Sequence, residues 1–131
     1  LSNPAMKKLV VVLITFLSLA SIANTAHSLT RAQMNAVRSA KLYLSVQGFS
    51  RKGLIDQLSS SYGDGYTIKN ATAAVNSLNV DWNQQAVKSA RLYLSTQGFS
   101  CRGLVEQLSS EYGDKYTYEQ STYAANRMGI C

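Results

Sequence analysis

The chain writes one phrase twice. LYLSVQGFSRKGLIDQLSSSYGDGYT, residues 42–67, returns fifty positions later as LYLSTQGFSCRGLVEQLSSEYGDKYT, residues 92–117. Laid over one another without a gap, residues 31–80 and 81–130 are identical at 26 of 50 positions. A duplication of this length marks one supersecondary unit used twice, and it sets the frame in which every other feature is read. A unit of fifty residues has too little apolar surface to bury for stability on its own. The two copies are therefore expected to lean on each other.

Each copy carries three apolar stripes at helical spacing. Thr30 with Gln33 three residues later has the form of a capping box, and Ala32, Ala36, Ala40 and Tyr43, with Val37 and Leu44 beside them, line one face of a first helix that Gly48 is expected to stop. Asp81 with Gln84 repeats the cap, and Trp82, Ala86, Ala90 and Tyr93 repeat the face. Ser50 and Ser100 head a short second helix, apolar at Leu54, Ile55 and Leu58 or at Leu104, Val105 and Leu108. The Tyr-Gly-Asp loops turn the chain. Thr67 and Thr117 cap a third helix, apolar at Ala71, Ala74, Val75 and Leu78 or at Ala124, Ala125 and Met128, with Asn79 and Gly129 as left-handed terminators. Phe49 and Phe99 are expected to plug the two cores. Nothing in either copy alternates with period two. The predicted fold is all-α: two tandem three-helix, helix-turn-helix-like repeats over residues 30–80 and 81–131.

The first quarter of the chain follows a different grammar. Lys7 and Lys8 precede an uncharged apolar run, residues 9–23, that closes in small residues. A start at Met6 makes this an export signal, with the five residues before it as upstream sequence. Residues 1–26 are expected to be either a cleaved signal or a retained membrane anchor, since a spanning helix wants roughly 20 apolar residues. Cys101 and Cys131 are the only cysteines, and an even count in an exported chain reads as one disulfide rather than a metal site. The same thirty-residue spacing falls on Arg51 and Asp81 in the first copy, which predicts an opposite-charge pair there. An exposed ion pair contributes about 0–1 kcal/mol, and a bridge across such a loop roughly 3–4 kcal/mol. The second copy is expected to be the more stable.

Chemistry is sparse. His27, the sole histidine, sits at the junction with the leader, and Cys101 has Cys131 as a partner. The carboxylates Asp56, Asp64, Glu106 and Asp114 have no evident general-acid environment. No catalytic residue, metal or cofactor is expected, and the chain is not read as an enzyme. Arg38 and Lys41, repeated as Lys88 and Arg91, form basic pairs that suit a phosphate backbone. The export signal argues against cytoplasmic-style DNA binding and the polar face of a surface helix is ordinarily just solvated, so direct nucleic-acid binding is set aside. Partner binding remains. Residues 30–80 hold six basic against two acidic side chains, whereas residues 81–131 hold five against five. In the second copy Glu106, Glu111, Asp114 and Glu119 are interleaved with Tyr118 and Tyr123, a combination that steers and grips a basic partner. Tyr112 and Tyr116, shared with Tyr62 and Tyr66, read as structural.

The pattern A-V-[KR]-S-A-[KR]-L-Y-L-S, G-F-S-x-x-G-L-[IV]-x-Q-L-S-S and Y-G-D-x-Y-T, written twice and joined by V-D-W-N at residues 80–83, resembles the Ltp family of phage-encoded superinfection exclusion proteins. The resemblance covers residues 30–130. It implies two helix-turn-helix-like repeats outside the cytoplasmic membrane and a task for a resident prophage, stopping the DNA of an incoming phage from crossing that membrane. It implies the incoming phage's tape measure protein as the partner, with a host inner-membrane protein as a second candidate. Lipoprotein members carry a lipobox cysteine, whereas no cysteine precedes Cys101 here. The expected location is the periplasmic side of the cytoplasmic membrane, secreted or held by the N-terminal segment. A general envelope module that recognises wall polymer or a membrane protein is the alternative with the same fold.

Overall fold

The computed structural model describes residues 27–131, and the expected signal or anchor at residues 1–26 lies outside the described residues. Among the described residues there are six α-helices and no strand. The first repeat contains α1 (Arg31–Val46), α2 (Arg51–Ser59) and α3 (Ile68–Ser77); the second contains α4 (Trp82–Thr96), α5 (Cys101–Ser109) and α6 (Tyr118–Arg127). Each helix starts where a short oxygen-bearing side chain can satisfy an orphan amide of the first turn. Thr30, Ser50, Thr67, Asp81, Ser100 and Thr117 all accept from the backbone N–H three residues on. At Thr30 and Thr117 the glutamine three residues later returns the bond and completes a capping box.

Two equivalent cores result. Ala40, Leu54, Leu58, Ala71 and Val75 form the first, and Ala86, Val87, Ala90, Leu104, Val105, Leu108, Tyr116, Ala124 and Ala125 the second. Alanines on α1, α3, α4 and α6 let these helices approach closely, and the leucines of α2 and α5 fill the space between them. Among the described residues, the partly buried side chains that flank these clusters lie between Tyr43 and Ile130.

The repeated phrase encodes a polar network as well as a core. Tyr43 donates to Asp64 at 2.7 Å and accepts from Gln57, and Tyr93 donates to Asp114 at 3.0 Å and accepts from Gln107. Ser39 meets the Tyr66 hydroxyl and Ser89 meets that of Tyr116. Phe49 and Phe99 stand edge-on to Tyr43 and Tyr93 with ring centroids 5.7 and 5.6 Å apart. Tyr, Gln, Asp and Ser recur at fixed spacing because together they fasten the Tyr-Gly-Asp loop to the first helix of each unit.

The copies differ at the seam between them. A methyl group at Gly48 would lie 2.5 Å from Ser89 Oγ and 2.7 Å from the Gln85 carbonyl, whereas one at Gly98 would have nothing within 4 Å. Gly48 therefore serves close approach of the first repeat's turn to α4, and α1 ends on an extended Gln47 instead. Around that contact the Phe49 N–H donates to Gln85 Oε1 at 3.3 Å, and Lys88 Nζ donates to the Leu44 carbonyl at 2.7 Å. The buried Ser50 hydroxyl caps α2 and also donates to the Asp114 carbonyl. Trp82 heads α4 yet packs against the first repeat's core.

Two expectations are corrected. Arg51 and Asp81 do not pair: Arg51 donates twice to Asn76 Oδ1 on α3, and Asp81 caps α4 by accepting from Gln84 N–H. The first repeat runs directly into another helix whose orphan amides need an acceptor, and that demand takes the aspartate. In the second repeat Cys101 and Cys131 are joined in a disulfide with Cα atoms 5.0 Å apart. Both repeats thus tie the start of the second helix to the end of the third, by different means. Nor is Asn79 a left-handed terminator, because Lys115 is the only non-glycine with positive φ among the described residues. Gly129 does adopt that conformation, at φ 72°.

Substituting Gly48 should be costly and substituting Gly98 should not. Gly48→Ala is expected to lose about 1–3 kcal/mol by overpacking. Gly98→Ala should fall within about 0.5 kcal/mol of the parent or gain slightly. Urea unfolding of the two variants measures this, and equal losses would mean that the turn does not bear on α4.

Candidate functional site

The exposed surface of the second repeat is built by the starts of α5 and α6. Ser100 and the disulfide fix the first turn of α5, and the Thr117 capping box fixes that of α6. Between them Cys101, Arg102, Val105, Glu106, Tyr118 and Thr122 line a shallow cavity of about 510 Å³. Tyr118 is exposed at its rim. Glu106 accepts from Arg102 at 2.9 Å one turn away, a largely exposed pair that leaves the carboxylate accessible. Glu119 lies in the first turn of α6, where the helix N-terminus favours negative charge.

The remaining residues singled out by sequence lie elsewhere. Glu111 forms an ion pair with Lys52 of the first repeat at 2.6 Å, with both side chains more than half exposed. Asp114 is half-buried, with Tyr93 donating to Oδ1 and no donor among the described residues reaching the buried Oδ2. Burial raises its carboxyl pKa above the ordinary range, and the Tyr93 bond opposes that shift. The next residue, Lys115, reaches across to Asp56 on α2, and this contact raises the ammonium pKa. Asp114 and Lys115 line a cleft of about 340 Å³ together with Ser50, Asp56, Tyr62 and other residues of the first repeat. Tyr123 is partly buried against the second core and accepts from Gln84 Nε2 at 3.3 Å. The six candidates therefore divide into Glu106 and Tyr118 on one cavity, Glu119 on the same helix as Tyr118, Glu111 and Asp114 at the seam, and Tyr123 at the edge of the core.

Sequence reasoning misplaced one pair of tyrosines. Tyr116 is buried against Ser89, and burial pushes its phenol well above the usual range. Tyr62 and Tyr112 are instead fully exposed at the tips of the two loops. They follow the ends of α2 and α5, so no helical face applies to them, and the Gly-Asp turn after each is the signal that could have placed them outside. Exposure of large apolar side chains also repeats between copies: Leu42 with Leu92 on the first helices, and Ile68 with Tyr118 at the start of the third.

These features define a tandem pair of three-helix units whose second half is charge-balanced, with carboxylates and tyrosines exposed on its surface. Two stretches, residues 31–78 and 81–128, match one family model, described as host cell surface-exposed lipoprotein. The chain belongs to this Ltp lipoprotein family. It is similar in structure to Ltp, a superinfection exclusion protein from the Streptococcus thermophilus temperate phage TP-J34, with 32% sequence identity and a TM-score of 0.68. The similarity covers 76% of this chain and 97% of that one. No curated protein matches the chain.

Asp114 gives the second repeat a pH dependence whose sign can be worked out. Its pKa is higher folded than unfolded, so the folded state holds this proton more tightly and is favoured by it in acid. That contribution is lost as pH rises from the unfolded carboxylate pKa to the folded one, and the desolvation penalty is complete above the folded value. Asp114→Asn keeps an acceptor for Tyr93 without the charge. Relative to the parent its melting temperature should rise as pH increases through the carboxylate range. A parent that gains on the variant over that range would contradict the assignment.

Proposed function

We propose that this protein is a superinfection exclusion protein that acts in the cell envelope, stopping the DNA of an incoming phage from crossing the cytoplasmic membrane. The observation that carries the reading is the match of both repeats to the Ltp family, at 32% identity to an exclusion protein over nearly all of that protein's length. Action is by binding, without catalytic turnover. The tape measure protein of the incoming phage is the proposed partner, and a basic segment of it meets the α5–α6 cavity. Tyr118 supplies a large amphipathic contact there, and Glu106 and Glu119 supply the charge that steers it. Glu111 and Asp114 contribute indirectly, by holding the repeats in register. Residues 1–26 deliver the domain to the periplasmic side of the membrane, by export or by remaining as an anchor.

Expression of the protein alone in a susceptible host tests this. Phage adsorption should be unchanged while DNA delivery falls. Reversing Glu106 and Glu119 to lysine should restore infection with the protein still folded and its stability lowered by only about 1–2 kcal/mol, whereas Glu111→Lys should lower stability by about 1 kcal/mol or less. Loss of adsorption would place the action at a receptor. Full protection by the Glu106 and Glu119 double variant would remove the α5–α6 surface from the mechanism.

A further inference from the structure

The acidic groups of the folded domain are concentrated in α2, α5, α6 and the loops, and α1 and α4 contain none. Those two helices together carry five basic residues and no aspartate or glutamate. They also carry exposed apolar side chains: Leu42 is 65% exposed, Val46 72% and Leu92 57%. Arg38, Leu42 and Val46 follow one another at four-residue steps along α1 and so share a side of it. Lys41 stands beside Leu42, and on α4 Arg91 stands beside Leu92. The two stripes meet. Val46 from α1 and Lys88, Arg91 and Leu92 from α4 line a single open groove of about 360 Å³ at the seam.

None of the basic groups Arg38, Lys41 and Arg91 is in an ion pair among the described residues, whereas Lys52, Arg102 and Lys115 are. Apolar side chains at the centre of a basic, acid-free face are the arrangement of a surface that lies on an anionic bilayer. The apolar groups enter the headgroup boundary while the long cationic side chains reach phosphates around them. Placement in the chain agrees. The uncharged apolar run of residues 9–23 precedes α1 by only a few residues, so any insertion of that run in a membrane would put α1 at the bilayer surface. We infer that the α1–α4 face, through Arg38, Lys41, Leu42, Val46, Arg91 and Leu92, docks on the anionic lipid surface of the membrane. In that pose Tyr118, Glu106 and Glu119 belong to helices that do not contribute to the docked face, and they remain free for a protein partner.

The test uses residues 27–131, which contain both stretches matched by the family model and correspond in extent to the solved relative, matched over 97% of its length. Co-sedimentation with vesicles of phosphatidylcholine, with and without roughly one-third phosphatidylglycerol, separates lipid charge from bare apolar contact. Binding is expected on the anionic vesicles alone and should be lost at about 0.5 M salt. Each basic side chain near such a surface strengthens binding about fivefold, so replacing Arg38, Lys41 and Arg91 with glutamine should weaken it roughly a hundredfold. Leu42→Ser with Leu92→Ser should weaken it at low salt with circular dichroism unchanged. Failure to bind anionic vesicles, or equal binding by the glutamine variant, would overturn the inference and give the face to a protein partner. Phage exclusion is not the readout, so the result is independent of the proposed function.

Discussion

How closely the turn after α1 can approach α4 decides the arrangement of the two copies. Only a glycine at position 48 lets that turn come to rest against the backbone of Gln85 and Ser89. Once it is there, the other seam contacts fall within reach: Phe49 N–H to Gln85, Lys88 to the last turn of α1, and the Ser50 hydroxyl to the Asp114 carbonyl. Trp82 covers the first core from the start of the second unit. Each contact is modest alone. Together they couple two units that are individually too small to bury enough surface, which is how repeat architectures gain their stability.

The seam also explains much of the divergence between the copies. Glu111 stands where the first copy has Ser61, and it meets Lys52. Lys115 stands where the first copy has Gly65, and both residues adopt the left-handed conformation, at φ 61° and 67°. A side chain there costs roughly 1–2 kcal/mol that glycine does not incur. The ion pair with Asp56 across the seam offsets part of that cost. Two of the charge differences between the copies are therefore contacts across the seam. Glu119, which stands where the first copy has Lys69, makes no such contact among the described residues and retains a role on the outer surface.

Most of the fold was legible in the sequence because it is written in local signals. The six caps, the alanine faces and the buried leucines all follow from spacings of three and four residues, and the disulfide follows from cysteine count and compartment. The seam was not legible. Its pairs lie 36 to 64 residues apart, where no periodicity connects them. Gly48 looked like a helix stop because glycine has two uses, and sequence alone does not distinguish an unusual φ from a close approach. Arg51 and Asp81 matched the cysteine spacing, but the aspartate was claimed by the helix that follows. Tyr62 and Tyr112 read as structural because they recur in both copies, yet both are fully exposed. Recurrence marks what both copies keep, whether it faces inward or outward.

The proposed partners take different surfaces of one body: the α5–α6 cavity for a protein segment and the α1–α4 face, which carries basic but no acidic residues, for a bilayer. That arrangement depends on the two repeats not moving independently. Differential scanning calorimetry of residues 27–131 with the disulfide intact tests it directly. One transition is expected, with equal calorimetric and van't Hoff enthalpies, as for any single cooperative unit. Two separate transitions, the first repeat melting before the disulfide-bridged second, would contradict the claim that the Gly48 seam makes the two repeats one body.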